Sequence, residues 1–196
     1  MTRFVFAVAI AAVSAMSAPP PSFAQDAVTF AYTPFDADKT CKHTKGKAEE
    51  DYGSWRCPGY AGIGVYLSAG DQRMNVSFGA QAAREPAARE TLPAFNNAYK
   101  GNIEWRIAAD ATGKQTPFAT ILRWNMMQNT DDRQASGRIL VVTRLGPGGV
   151  CHVGYVDARA NPNPNDLARQ LADTKARAFK CGTDKAEWVG VKPAAN

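Results

Sequence analysis

The chain has 196 residues and a formal net charge of +5, with 23 lysines and arginines set against 18 aspartates and glutamates. That length gives one well-cored domain and leaves too little for two. The positive balance is mild and scattered, which excludes the clustered basic stripe of a nucleic-acid-binding domain.

The N-terminus has the three-part layout of a secretory signal peptide: Arg3, an apolar run from Phe4 to Val13, then Ser22-Phe23-Ala24 before the expected cut. Residues 1–24 are read as the leader and residues 25–196 as a single domain beginning at Gln25. The apolar run spans about ten residues, against the roughly 20 that a bilayer crossing needs, and Ser14 and Pro19-Pro20-Pro21 follow it. Cleavage rather than anchoring is expected, so no membrane span is assigned. The first cysteine is Cys41, which leaves no lipid-attachment site at the new terminus. Losing Arg3 takes the charge from +5 to +4, and the location implied is periplasmic or secreted.

Val28 to Tyr32 forms a short apolar segment ahead of Pro34. Lys39, Lys42, Lys45 and Lys47 then surround His43, and Glu49-Glu50-Asp51 follows; opposite charges this close make a solvated loop, with a site for anionic glycan or lipid headgroups as the alternative. After Tyr52 to Cys57, the chain turns at Pro58-Gly59. Ile63, Val65 and Leu67 alternate with Gly64, Tyr66 and Ser68, reverse at Ala69-Gly70-Asp71, and continue as Met74, Val76 and Phe78. This period of two defines an antiparallel hairpin with one buried face. Residues 80–90 favour a helix that Pro86 kinks or splits, and Leu92 to Asn97 is a connector.

A second hairpin spans Asn102 to Gln128. Ile103, Trp105 and Ile107 alternate with Glu104 and Arg106; beyond the turn Thr112-Gly113-Lys114, Phe118, Thr120, Leu122, Trp124 and Met126 share one side while Arg123 and Asn125 take the other. Asp131 to Gly137 is a polar loop. Ile139 to Leu145 is apolar on both faces, as in a central strand covered on both sides, and Gly146-Pro147-Gly148-Gly149 turns the chain into Val150 to Val156. That glycine-rich turn delivers the chain into a strand, not into the helix a phosphate loop requires. Asn165 or Asp166 is expected to cap a helix whose inner face is Leu167, Leu171, Thr174 and Ala178, and Ala186 to Val191 supplies a last edge strand. The fold class is therefore α+β, mainly β: a curved antiparallel sheet, barrel-like or sandwich, of about eight strands with a C-terminal helix packed on it. Trp105, Leu122, Trp124, Val141 and Val153 are the expected core.

Four cysteines allow three connectivities, and loop-closure entropy favours Cys41 with Cys57 and Cys151 with Cys181. Each such crosslink stabilises a fold by about 3 to 4 kcal/mol in the chain-entropy model. No Cys-x-x-Cys occurs, and only His43 and His152 could supply imidazole, so neither thiol redox chemistry nor a metal site is expected. Cys151 and His152 are neighbours on a strand, where alternate side chains point to opposite faces and cannot pair as nucleophile and base.

No nucleophile elbow, zinc-protease helix, phosphate-loop lysine or calcium loop is present, so no catalytic residue and no cofactor is assigned. The expectation is an exported, non-catalytic envelope protein that binds a macromolecular partner, protein or glycan. The candidate binding residues are the loop aromatics Trp55, Tyr60, Phe95 and Tyr99, with Asp157 and Arg159 at a strand end. Lysozyme inhibition is one form of this, opposed by a net charge that repels a cationic target. The alternatives are carriage of a small ligand in the sheet concavity beside Trp124, Met126 and Met127, and a hydrolase built from sequence-distant carboxylates.

Cys57-Pro58-Gly59-Tyr60 with Gly62, and the run from Cys151-His152-Val153-Gly154-Tyr155 to Asn161-Pro162, resemble a family of small exported bacterial proteins that are themselves uncharacterised. The resemblance covers most of the mature chain. It implies export and a shared compact domain, and it implies no activity.

Overall fold

The computed structural model describes residues 27–45, 52–127 and 137–192. The expected leader, the acidic Glu49-Glu50-Asp51, the loop from Asp131 and the last four residues lie outside them. The strands are β1 (Val28–Asp36), β2 (Lys42–Lys45), β3 (Gly53–Cys57), β4 (Val65–Gly70), β5 (Arg73–Phe78), β6 (Asn96–Asn97), β7 (Lys100–Ala109), β8 (Gln115–Met126), β9 (Gly137–Arg144), β10 (Cys151–Asp157) and β11 (Glu187–Trp188). They form two open sheets. Four strands run in the order β2-β3-β4-β5; seven form the larger sheet, β1-β7-β8-β9-β10-β11, with β6 also pairing β8. Among the described residues a single α-helix, α1 (Pro164–Leu171), continues into a π turn over Ala172–Ala176.

The result is three layers: small sheet, large sheet, helix. The α+β, mainly β class holds, and the sheet does not close into a barrel. The sequence count of about eight strands missed β2 and β6, which are too short and too polar to show a hydrophobic alternation. Residues 80–90 form two 3-10 turns, Ala82–Arg84 and Pro86–Ala88; Pro86 opens the second, where a missing N–H costs nothing.

The front core lies between the sheets. Leu67 pairs with Val76 and Val65 with Phe78 across β4 and β5, and these side chains meet Ile103, Trp105, Leu122, Trp124 and Val141 from the large sheet. The back core is smaller. There Ile121, Leu140, Val142 and Val153 pack under Ala168, Leu171, Ala172 and Ala176. Both faces of β9 are thus covered, as its unbroken apolar run requires.

Two bulges redirect side chains that strict alternation would place in front. Phe118 has no partner between the Arg106–Ala119 and Ile107–Pro117 pairs, and it joins the back core. Val153 has none between the His152–Thr143 and Gly154–Val142 pairs, and it does the same. Each inserts one extra residue, which flips the pleat.

The inner stripe of the helix also differs from expectation. Thr174 and Ala178 are exposed, and small residues take their place because α1 sits close to the sheet. A Cβ on Gly154 would collide with the Glu187 carbonyl and stand 2.9 Å from Leu171 Cδ2. Thr174 instead donates to the Gln170 carbonyl. The N-cap is Asn163 without a side-chain cap bond, and Pro164 opens the helix. Both disulfides form as loop entropy favours. Cys41–Cys57 crosslinks β2 and β3 one pair beyond Lys42–Arg56, and Cys151–Cys181 ties β10 to the segment after the helix. Gly149, at φ 111°, admits Cys181 where a Cβ would lie 3.2 Å from its sulfur.

Candidate functional site: a polar cleft beside the helix

On β7, Glu104 and Arg106 point away from the front core filled by Ile103, Trp105 and Ile107, and the pairs Pro34–Asn102, Tyr32–Glu104 and Phe30–Arg106 carry the same back face onto β1. On β8 the back face holds Ile121, Arg123 and Asn125, beside Leu140 and Arg138 of β9. The helix and its π turn roof only part of this face. Beyond Asn165, in the first turn of α1, the sheet is uncovered and forms a cleft of about 480 Å³. Tyr32, Lys100, Asn102, Glu104, Arg123, Asn125 and Asn165 surround it, with the buried Ile121 and Leu140.

One wall is a closed ion network. Arg169 donates to both oxygens of Glu104 (2.8 and 3.1 Å) and to the Tyr32 hydroxyl (3.0 Å), and that hydroxyl donates to Glu104 Oε2 at 2.9 Å. Arg106 donates to Glu104 Oε1 at 3.0 Å and makes a two-pronged pair with Asp173 at 2.9 and 2.7 Å. The Arg169 guanidinium lies 5.7 Å from the Phe30 ring centre. Burial pushes the Glu104 carboxyl up, but hydrogen bonds from Arg169 and Tyr32, with the charges of Arg169 and Arg106, outweigh it and hold Glu104 below the usual carboxylate range. Two glutamate and aspartate charges are thereby matched by two arginines.

The opposite side of the cleft is cationic and open. Arg123 donates to Asn165 Oδ1 at 3.3 Å; burial, and then the like charge of Arg138, lower its pKa. Lys100 and Asn102 are exposed. Among the described residues, no carboxylate bonds Lys100 or Arg123. The cleft thus offers amide donors and acceptors from three asparagines, two cations, and the phenol of Tyr32, which is 50% exposed beside the 55% exposed Phe30.

A second polar cluster is buried at the front. His152 Nδ1 lies 3.1 Å from the Tyr155 hydroxyl, and the His152 backbone N–H donates to Glu90 at 2.6 Å. The imidazole stands edge-on to Trp124 and its Nε2 has no partner. Burial lowers the His152 pKa to about 4 and raises that of Tyr155 to about 12, the latter with help from the Glu90 charge. A neutral histidine walled in by aromatics is a core residue. Cys151 reaches back to Cys181 while His152 joins Trp124 in front, so the two neighbours occupy opposite faces as expected.

The six candidate binding residues read from sequence do not converge. Trp55 and Tyr99 do meet, edge to face at 5.9 Å, with the His43 ring tilted against Trp55 at 5.1 Å. Tyr60 packs on Trp105 at 6.1 Å, and Phe95 lies under Arg73. Asp157 is buried and accepts the Arg159 and Ala160 N–H groups, so it shapes the turn that carries the exposed Arg159. None of the six lines the cleft. Of those that do, Glu104, Arg123 and Asn125 were visible only as part of the polar half of two alternating strands. The signal was a polar stripe on a sheet whose next strand, β9, is apolar on both faces.

Among the described residues, no cluster of three or more His, Cys, Asp or Glu side chains is placed to hold a metal ion, and no helix is long and apolar enough to cross a membrane. The molecule is a two-sheet, helix-backed α+β domain stapled by two disulfides, which fit an oxidising compartment. Comparison with models of known families, with curated proteins and with solved structures finds no match to this chain.

Proposed function

We propose that this protein is exported and acts as a non-catalytic binding protein of the cell envelope, with the polar cleft receiving a glycan. The signal-like N-terminus and the two disulfides support the compartment. The lining of the cleft carries the ligand class: Asn102, Asn125, whose amide also donates to Asn97, and Asn165, whose oxygen also accepts from Arg123, present amide groups of the kind that vicinal hydroxyls satisfy, next to the exposed ring of Tyr32. A protein partner would instead anchor aromatic side chains in a desolvated apolar pocket, whereas this cleft is ringed by seven polar or charged side chains. Carriage in the sheet concavity is disfavoured because Trp124 and Leu122 fill the space between the sheets. Hydrolysis by distant carboxylates is disfavoured because Glu104 and Asp173 are both held by arginines.

Cosedimentation of the purified oxidised chain with isolated peptidoglycan sacculi and with cellulose tests the reading. Retention on at least one matrix, lost in an Asn102→Ala/Asn125→Ala variant that melts normally, is expected. Equal recovery of the native protein in the supernatant with and without every glycan overturns it.

A further inference from the structure

Four features of the cleft go beyond a general affinity for sugars. Its only carboxylate among the described residues, Glu104, is saturated by Arg169, Arg106 and Tyr32, so it can accept nothing further and contributes no unbalanced charge. Arg123 and Lys100 have no such partner among the described residues, and both line the same space. Arg138 stands close enough to Arg123 to disfavour its charge, leaving two like charges that an anion would relieve. Asn165, from the first turn of α1, holds the Arg123 guanidinium at 3.3 Å, so the cation is positioned rather than free to swing into solvent. Asp36 is paired across the strands with Lys100, but its Oδ1 accepts the Asp38 N–H in its own turn.

Resting on the glycan reading above, we infer that the cleft selects an acidic glycan, seating a sugar carboxylate between Arg123 and Lys100 while the three asparagines take the neighbouring hydroxyls. The guanidinium makes a charge-assisted bond to the carboxylate and the ammonium supplies a second, less directional charge. Selection comes from the fixed Arg123, and Lys100 adds attraction that salt screens.

Calorimetric titration of the full oxidised chain with oligogalacturonate and with its methyl ester, which keeps the sugar backbone and removes the charge, tests this. The acid form should bind about ten-fold tighter or more than the ester, as expected for a charged hydrogen bond, and its affinity should fall with added salt. Arg123→Gln should erase that preference, bringing acid and ester to equal affinity at an unchanged melting temperature; Lys100→Gln should weaken the acid form and flatten its salt dependence. Equal binding of acid and ester would overturn the acidic selection and leave the glycan reading standing. Binding of neither would overturn the acidic selection, and the glycan reading is then decided by the sacculus and cellulose test. Inorganic phosphate that competes with the acid form as well as free galacturonate does would reduce the site to a general anion site and overturn the sugar specificity.

Discussion

The two faces of the large sheet solve different problems. In front, Trp105, Leu122, Trp124 and Val141 are sealed by the four-stranded sheet, in an apolar core that also encloses His152. At the back, one helix of two turns and a π turn roofs a small apolar strip, and the rest of the face carries Glu104, Arg106, Arg123 and Asn125. Stability resides in the face that is fully covered; the proposed recognition falls on the face that is covered only in part. The ion network of Glu104, Arg106, Arg169 and Asp173 marks the border between the two, since it pins the helix and forms a wall of the cleft.

Substitutions can separate the two roles. The largest effect is expected in front: Trp124→Ala should cost about 3 to 5 kcal/mol in urea unfolding, from lost burial plus the cavity left between rigid sheets. Replacing both Cys151 and Cys181 by serine should cost about 3 to 4 kcal/mol and, in hydrogen exchange, release the amides of α1 before those of the front sheet. A loss confined to the front strands would contradict the assignment of the helix as the weaker layer.

Acid should act through the front core too. His152 titrates near 6.5 when unfolded and near 4 when folded, so its contribution is intact above pH 6.5 and is lost as the pH falls from there towards 4. The total is about 3 kcal/mol on that linkage. Glu90, whose carboxyl burial raises despite the His152 N–H, acts in the opposite sense: it favours the fold below pH 4.5 and loses that contribution as the pH rises through its folded value. Comparing unfolding between pH 7 and pH 5 in the native chain and in His152→Phe isolates the histidine, because the variant keeps Glu90 and should show a flatter profile.

Smaller effects belong to the back. Glu104→Gln should cost about 2 kcal/mol, less than a fully buried pair, because Arg106 keeps Asp173 and Arg169 reaches solvent. Asn125→Ala should stay within about 0.5 kcal/mol of the native chain while weakening glycan retention.

Much of the front was legible in the sequence because it obeys a period of two: β4 with β5 and β7 with β8 were read with their turns, and both disulfides follow from loop entropy. The division into two sheets was not, because it depends on where residues 79–95 carry the chain. There Glu85 and Glu90 accept the Val150 and His152 N–H groups through side chains, contacts that no local pattern encodes. Phe118 was read on the side of Leu122 and Trp124, but a bulge shifts the phase there without changing composition; Val153, read as core, is buried behind the sheet by a second bulge. The candidate site was least legible. Loop aromatics attract attention in a sequence, yet Tyr60 serves the core, whereas Lys100, Asn102, Arg123 and Asn165 become neighbours only when three separate elements meet.

The most direct test of a glycan cleft on the half-covered face is to follow backbone amide resonances of the oxidised protein while oligogalacturonate is added. The account predicts that the shifts concentrate at Lys100, Asn102, Arg123, Asn125 and Asn165 and spare the front sheet. Shifts centred on Trp55 and Tyr99, with the cleft silent, would contradict it.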